Sequence, residues 1–157
     1  IMTLMSHIIA DLHQPLHAMT QTNRFCTDSD YGGNRYIIKT KKRKPGYISL
    51  HHLWDSGLGL LTARTITDLI NSSKAGSDQE NEQKSTNPID FANESYQYGH
   101  FVYSTARLDV PSPDYYKKAR EIVLKQINIA SAREEIILHK MLDQKLASRD
   151  LMQIKTL

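Results

Sequence analysis

Histidine and aspartate recur four residues apart in two short windows of this chain, and this spacing limits its fold more than any other feature. The windows are His7-Ile-Ile-Ala-Asp11-Leu-His-Gln-Pro-Leu-His17 and His51-His-Leu-Trp-Asp55. Residues four apart lie one above the other on the same face of an α-helix. The spacing therefore predicts a helix in each window, with an imidazole and a carboxylate on one face that can bind a cation.

The residues around the first window support a helix that ends before its last histidine. Apolar residues recur with helical spacing from Ile1 to Leu12 and predict an amphipathic helix over residues 1 to about 13. Pro15 lacks a backbone N–H and disfavours helical backbone at Gln14. We therefore expect the chain to turn there, so that His17 lies beyond the helix.

The rest of the chain predicts one mainly α domain over residues 1–157 with a short β-hairpin. The segments Arg35–Lys39 and Tyr47–Leu50 are β-compatible and flank a basic turn. Helical patterns run from Ser49 to about Asn71, from Pro88 to Thr105, and onward from Ser112, which is a good N-cap before Pro113. The polar stretch 71–88 predicts an exposed loop.

Composition limits which side chains can bind a metal, but it does not identify a binding partner. A net charge of +3 is too small to indicate nucleic-acid binding by itself. The single cysteine, Cys26, excludes an internal disulfide and a cysteine-rich zinc module, so that any metal must be held by histidine and aspartate. The basic turn at Lys39, Lys41, Lys42, Arg43 and Lys44 either steers a polyanion or is simply a solvated turn.

Two interpretations of the histidine windows remain open at this stage. Imidazole and carboxylate suit Zn²⁺ when cysteine is absent, and incomplete protein coordination leaves positions for water or substrate. Alternatively, a helical bundle uses the same residues for buried hydrogen bonds and Trp54 is a core residue.

Three linked motifs make the sequence recognisable. The windows His7-x3-Asp11-x-His-Gln-Pro-Leu-His17 and Leu50-His51-x2-Trp54-Asp55 flank the motif Asp30-x-Gly-Gly-Asn34. In this order the motifs resemble the zinc-dependent, single-strand-specific nucleases of the mung-bean-nuclease type, the S-one/P-one family. Weaker similarity continues through Glu94-Ser95, Val102-Tyr103 and Ala130-x2-Arg133.

The resemblance implies a helical fold related to zinc-dependent phospholipase C, with three zinc ions in a cleft. Such enzymes hydrolyse single-stranded DNA or RNA to 5′-phosphorylated products and remove the 3′-phosphate of 3′-nucleotides. They are secreted or periplasmic. The chain itself shows no membrane anchor and no evident protein partner.

The resemblance also assigns roles to individual residues. By resemblance, His7 is a ligand of one ion in a close pair and Asp11 is the catalytic carboxylate that bridges the pair. The remaining ion is expected at His17, His51 and Asp55. Asn34 matches a substrate-binding asparagine, while His13 and His52 match no ligand and are expected behind the ligands or at the surface.

Several family features are missing from this sequence. The N-terminal tryptophan and further ligands of the close metal pair are not found, and we expect them upstream of Ile1 in an N-terminal part that this chain lacks. The chain alone is then expected to be inactive. A phospholipase C-like lipid phosphodiesterase and a non-catalytic zinc-binding remnant remain alternatives.

Overall fold

The computed structural model describes residues 2–24, 27–40, 46–59 and 85–154, with side chains described as far as residue 146. The described residues form a mainly helical structure with one two-stranded antiparallel hairpin, which confirms the predicted fold class. Within this part of the chain, no helix has the length and apolar character needed to cross a membrane.

The first helix ends where the proline predicts. Helix α1 spans Met2–Leu12, and a 3₁₀ turn follows at Pro15–His17. Gln14 has extended backbone and caps this turn, because its side-chain oxygen accepts a hydrogen bond of 2.5 Å from the Leu16 N–H. The turn brings His17 back towards the face of α1 that carries Asp11.

The hairpin leads directly into the second histidine window. Strands β1 (Ile37–Lys39) and β2 (Tyr47–Ser49) pair antiparallel, with Ile38 opposite Ile48. Helix α2 (Leu50–Asp55) begins at once, and the Ser49 hydroxyl caps it by accepting the His52 N–H at 3.0 Å. Positions 41–45, which include most of the basic turn, lie outside the described residues.

The helix predicted from Ser49 to Asn71 is interrupted after Asp55, and its remainder from position 60 lies outside the described residues. The chain passes instead into a 3₁₀ turn at Gly57–Gly59, where Gly57, Leu58 and Gly59 have φ angles of 56°, 58° and 79°. Left-handed backbone cannot continue a right-handed helix. Positions 60–84, including most of the predicted exposed loop at 71–88, lie outside the described residues.

The predicted helix from Pro88 to Thr105 is divided in two. Helix α3 spans Pro88–Tyr96 and helix α4 spans Gly99–Val102. The Tyr98 N–H bonds to the Ser95 carbonyl, three residues back, which tightens the chain between them. A Cβ at Gly99 would lie 2.8 Å from the Met19 sulfur, so that a larger residue there requires the Met19 side chain to move, and glycine itself weakens a helix.

The final helix contributes residues to the hydrophobic core and contacts the helix that carries the second histidine window. Helix α5 spans Pro113–Ile154 and is capped by Ser112, whose hydroxyl accepts the Tyr115 N–H at 3.1 Å. Trp54 is buried and donates through Nε1 to the Tyr115 hydroxyl at 3.0 Å, while that hydroxyl donates to the Val102 carbonyl at 2.8 Å. This chain of hydrogen bonds ties α2 to α5 and α4. The main core cluster is Leu16, Tyr36, Ile38, Leu50, Leu53, Trp54, Leu58, Val102, Tyr115, Ala119, Ile122 and Val123.

Candidate metal centre

Three of the predicted metal ligands converge although they come from separate elements. His17 ends the 3₁₀ turn, while His51 and Asp55 lie one turn apart on α2. Asp55 Oδ1 is 3.2 Å from His17 Nε2, and Asp55 Oδ2 is 3.1 Å from His51 Nε2. The two imidazole rings lie 4.9 Å apart between centroids. Two ring nitrogens therefore face one carboxylate.

This donor set fits a zinc ion. One ligand atom from each of His17, His51 and Asp55 lies within 4.8 Å of the other two. Tetrahedral zinc with bonds of 2.0–2.1 Å places its ligand atoms about 3.3 Å apart. The distances of 3.2 and 3.1 Å from the Asp55 oxygens to His17 Nε2 and His51 Nε2 are close to that separation. Three protein ligands leave a fourth position for water or substrate, which is the arrangement of catalytic rather than structural zinc.

A backbone carbonyl holds His51 in the orientation that a ligand needs. His51 Nδ1 lies 2.8 Å from the Gly32 carbonyl oxygen and therefore carries the ring proton, which leaves the Nε2 lone pair directed at Asp55. Gly32 has a φ of 59°, and a Cβ there would lie 2.3 Å from the Leu16 carbonyl oxygen. Only glycine lets the loop approach this closely, which explains the Gly-Gly motif.

Asp30 anchors the same loop from inside. Its carboxylate is fully buried and accepts the Gln21 N–H and the Thr20 hydroxyl, each at 3.0 Å. Burial alone raises the pKa of Asp30, but hydrogen bonds led by the N–H groups of Gln21 and Gly33 outweigh burial and lower this pKa below its usual value. The sequence showed Asp30 only as part of a motif, and the structure gives it an organising role.

Gln14 contacts the site although the sequence did not single it out as functional. Its Nε2 donates to Asp55 Oδ1 at 2.7 Å while its side-chain oxygen accepts the Leu16 N–H. Both ends of the amide are thus engaged, which fixes its orientation and that of the carboxylate. The signal in the sequence was its place before Pro15, between two histidines of the first window.

The other predicted ligand pair lies beside this centre and is more open. His7 Nε2 is 3.4 Å from Asp11 Oδ2, and the His7 side chain is 71% exposed, compared with 17% for His51. Asp11 Oδ2 is also 3.8 Å from His17 Nδ1. Asp11 therefore lies between the two groups, where a bridging carboxylate is expected.

A cleft adjoins both groups. Its volume is about 450 Å³, and α1, the two 3₁₀ turns, the end of α2 and α5 form its walls. The lining residues are His7, Ala10, Asp11, His13, Gln14, Pro15, His17, Trp54, Asp55, Gly57, Val123, Gln126, Ile127, Ala130, Ser131 and Glu134. Four of the five predicted ligands thus face one cavity.

The predicted substrate-binding residue Asn34 is exposed at the end of the glycine loop. Its side-chain Nδ2 donates to the Tyr31 carbonyl at 2.9 Å. His52 is exposed on α2. Neither residue is among the three converging donors.

His13 has a different environment from the ligand histidines. It is buried, its Nδ1 lies 2.7 Å from the Ile9 carbonyl, and its Nε2 lies 2.8 Å from Arg133 Nη1. Arg133 is fully buried, pairs with Glu94 at 2.8 Å and lies 4.4 Å above the Phe91 ring. We call His13, Arg133 and Glu94 the buried clamp, because it joins the end of α1 to α5 and α3.

Comparison with known proteins agrees with this arrangement. The family model described as "S1/P1 Nuclease" matches residues 1–147. The protein named "Endonuclease 2" from Arabidopsis thaliana is 39% identical over 71 residues, which are 45% of this chain and 20% of the relative. The matched segment spans about a fifth of that relative's length. Because the family model covers nearly the whole chain, the chain belongs to the S1/P1 nuclease family.

Proposed function

We propose that this chain forms part of a zinc-dependent phosphodiesterase that hydrolyses single-stranded DNA or RNA to 5′-phosphorylated products and removes 3′-phosphates from 3′-nucleotides. The observation that carries the proposal is the convergence of His17, His51 and Asp55. Zinc supplies positive charge to a phosphate and lowers the pKa of bound water from 15.7 to about 7. Membership of the family supports nuclease chemistry in general.

The residues of this chain then have separate tasks. His17, His51 and Asp55 would hold one ion, and the Gly32 carbonyl and Gln14 amide keep His51 and Asp55 aligned. Asp11 and His7 would contribute ligands to a second metal group beside it. Asn34 presents an exposed amide that can donate to a phosphate oxygen. The three-zinc complement, like secretion of the protein, is part of the proposal.

Adjacent histidines on α2 give a matched pair of variants to test the proposal. We expect His51→Ala to lose at least one zinc per molecule, measured by elemental analysis, and to abolish hydrolysis of single-stranded DNA by the whole gene product. His52→Ala should retain both, because His52 is exposed and is not one of the three converging donors.

Three outcomes would contradict the proposal. Equal zinc content in the wild type and the His51→Ala variant would show that His51 is not a zinc ligand and would favour a purely structural role for the histidines. Hydrolysis of phosphatidylcholine but not of single-stranded DNA or 3′-nucleotides would favour the lipid phosphodiesterase, which shares the metal chemistry. Zinc binding without either activity would identify a non-catalytic remnant.

A further inference from the structure

The last carbonyl groups of α1 cannot all find partners within the helix, because the chain turns at Pro15. In a continuing helix the Asp11 carbonyl would accept an N–H from position 15, which proline lacks, and the Leu12 carbonyl would accept the Leu16 N–H. The Asp11 carbonyl accepts the Gln14 N–H at 2.9 Å instead. The Leu16 N–H donates to the Gln14 side chain. The Leu12 carbonyl therefore needs a partner from outside the helix.

Two other helices supply that partner. Ser95 on α3 donates its hydroxyl to the Leu12 carbonyl at 2.6 Å. Gln126 on α5 donates through Nε2 to the same hydroxyl oxygen at 3.1 Å. Ser95 and Gln126 are 0% and 4% exposed, so water competes little with these hydrogen bonds. We call Leu12, Ser95 and Gln126 the α1 cap, because groups from α3 and α5 close the end of α1.

The α1 cap lies where the chain passes from one candidate ligand to the next. Leu12 directly follows Asp11, and the segment after it carries Gln14 and His17. Gln14 donates to Asp55 at 2.7 Å, and His17 Nε2 lies 3.2 Å from the same carboxylate. A change in the direction in which the chain leaves α1 would therefore move both groups relative to Asp55.

The buried clamp supports the same end of α1 at a second point. Arg133 lies two helical turns beyond Gln126 and shares its face of α5. Its partner Glu94 directly precedes Ser95 on α3. The clamp holds the residue that follows Leu12. Two consecutive residues at the end of α1 are thus fixed by buried polar groups from the same two helices.

We propose that Ser95, oriented by Gln126, is a positioning residue that fixes the direction of the turn carrying His17. The turn then presents His17 to Asp55 at the separation that a shared ion requires. This inference rests on the proposed zinc centre and deepens it by assigning groups that assemble it. The candidate ligands come from two separate segments, so their separation depends on how each segment is held. Ser95 is not among the residues that line the cleft, and its effect passes through the Leu12 carbonyl.

Hydrogen exchange in the metal-free gene product tests whether the α1 cap fixes the turn. The N–H groups of His17 and Ala18 each donate within the turn at 3.0 Å and report its opening. We expect Ser95→Ala to speed exchange at these two amides about tenfold, in line with the loss of one buried hydrogen bond. Unchanged exchange at both amides would overturn the proposal.

Chelator competition links the turn to the metal. Ser95→Ala should weaken zinc binding about tenfold, the lower end of the effect of removing a group that orients a ligand. Tyr36→Phe is the matched control, because it removes another buried hydroxyl that donates to a carbonyl, that of Thr105 at 2.6 Å. It should change neither exchange in the turn nor zinc affinity. Equal effects of the two variants would show a general loss of stability and overturn the proposal.

A double-variant cycle separates orientation of Ser95 from a direct effect of Gln126, which lines the cleft. Gln126→Met removes the group that donates to Ser95. The double variant should bind zinc as Ser95→Ala does, because both substitutions break one chain of hydrogen bonds. Additive losses would overturn the role of Gln126 in orienting Ser95. Gln126→Met alone, with exchange at the same two amides, carries the test if Ser95→Ala does not fold.

The positioning role and the nuclease function can fail separately. Faster exchange in Ser95→Ala, in a protein that binds no zinc, would retain the role of Ser95 in fixing the turn and reject the nuclease function. Zinc binding and cleavage of single-stranded DNA by the wild type, with unchanged exchange in Ser95→Ala, would reject the positioning role alone. Faster exchange with unchanged zinc affinity would also overturn it, because the direction of the turn would then not matter to the ligands.

Discussion

His13 and His17 come from the same short sequence window but have opposite environments. The Nε2 lone pair of His13 accepts a hydrogen bond from Arg133, a permanent cation, inside the core. Both nitrogens of His17 face carboxylates, Asp11 through Nδ1 and Asp55 through Nε2, and its side chain is 30% exposed. Both ring nitrogens of His13 thus have hydrogen-bond partners within the protein, whereas both ring nitrogens of His17 face carboxylates that can share a cation with them.

The difference shows what distinguishes a structural histidine from a candidate ligand. Burial lowers the pKa of His13 and outweighs the opposing hydrogen bond to the Ile9 carbonyl; the charge of Arg133 lowers this pKa further, while that of Glu94 raises it slightly. A neutral imidazole that already accepts a hydrogen bond has no lone pair for a metal. His17 is directed at two carboxylates, so a cation at that point satisfies all three groups.

Breaking the buried clamp should produce the largest effect. We expect Arg133→Met to lower the free energy of unfolding by about 3–5 kcal/mol, because His13 and Glu94 lose the partner they share. Urea denaturation of the metal-free protein would measure the change. The matched control is Arg120→Met, an exposed arginine on the same helix, and an equal loss there would contradict a specific clamp.

Removing a candidate metal ligand should have the opposite pattern, with a large loss of zinc affinity and little change in the free energy of unfolding. Asp55→Asn should reduce zinc affinity at least about a hundredfold, since removal of mere supporting groups already costs about 10–100-fold. The metal-free protein should change in unfolding free energy by no more than about 0.5 kcal/mol, because Asp55 is exposed. Chelator competition measures the affinity. Asp143→Asn, an exposed aspartate on α5, should change neither quantity.

Gln14 should show an intermediate effect that tests alignment without removing a ligand. We expect Gln14→Ala to weaken zinc binding by about 10–100-fold, because Asp55 loses the hydrogen bond that orients it. Unfolding should cost about 1 kcal/mol from the lost cap of the 3₁₀ turn. Gln97→Ala, at an exposed position after α3, is the control. Unchanged zinc affinity in Gln14→Ala would show that Asp55 is oriented without it.

Asp30 is the buried carboxylate in this comparison, as His13 is the buried histidine. Its substitution should have the smallest effect of the four, a change in how stability depends on acidic pH. Its folded pKa lies below the unfolded value of about 3.9, so the ionised group stabilises the fold above that value. We expect this stability to be lost as the pH falls from about 3.9 through the folded pKa. Denaturation of the metal-free protein at a series of acidic pH values would measure it. Asp30→Asn should have a shallower acid dependence, and an identical slope would contradict the assignment.

Local rules predicted the elements that depend on neighbouring residues. Pro15 ended α1, Ser112 and Pro113 started α5, and the hairpin formed on either side of its turn. The helix predicted from Ser49 was interrupted after Asp55, and the helix predicted from Pro88 to Thr105 was interrupted after Tyr96. Helical spacing of apolar residues continued there, but left-handed backbone at Leu58 and the contact of Gly99 with Met19 depend on packing that spacing does not encode.

The sequence by itself determined that His7 and Asp11 share one helix face and that His51 and Asp55 share another, because an i, i+4 relation is fixed by helix geometry. His17 was a candidate only through the family resemblance. Only the tertiary structure decided which of them meet. A turn, a hairpin and a glycine loop bring His17 close to His51 and Asp55. His13, in contrast, is hydrogen-bonded to Arg133, which lies 120 residues further along the chain, and is not one of the converging donors. Long-range packing determines where a lone pair points, and that direction separates a ligand from a core residue.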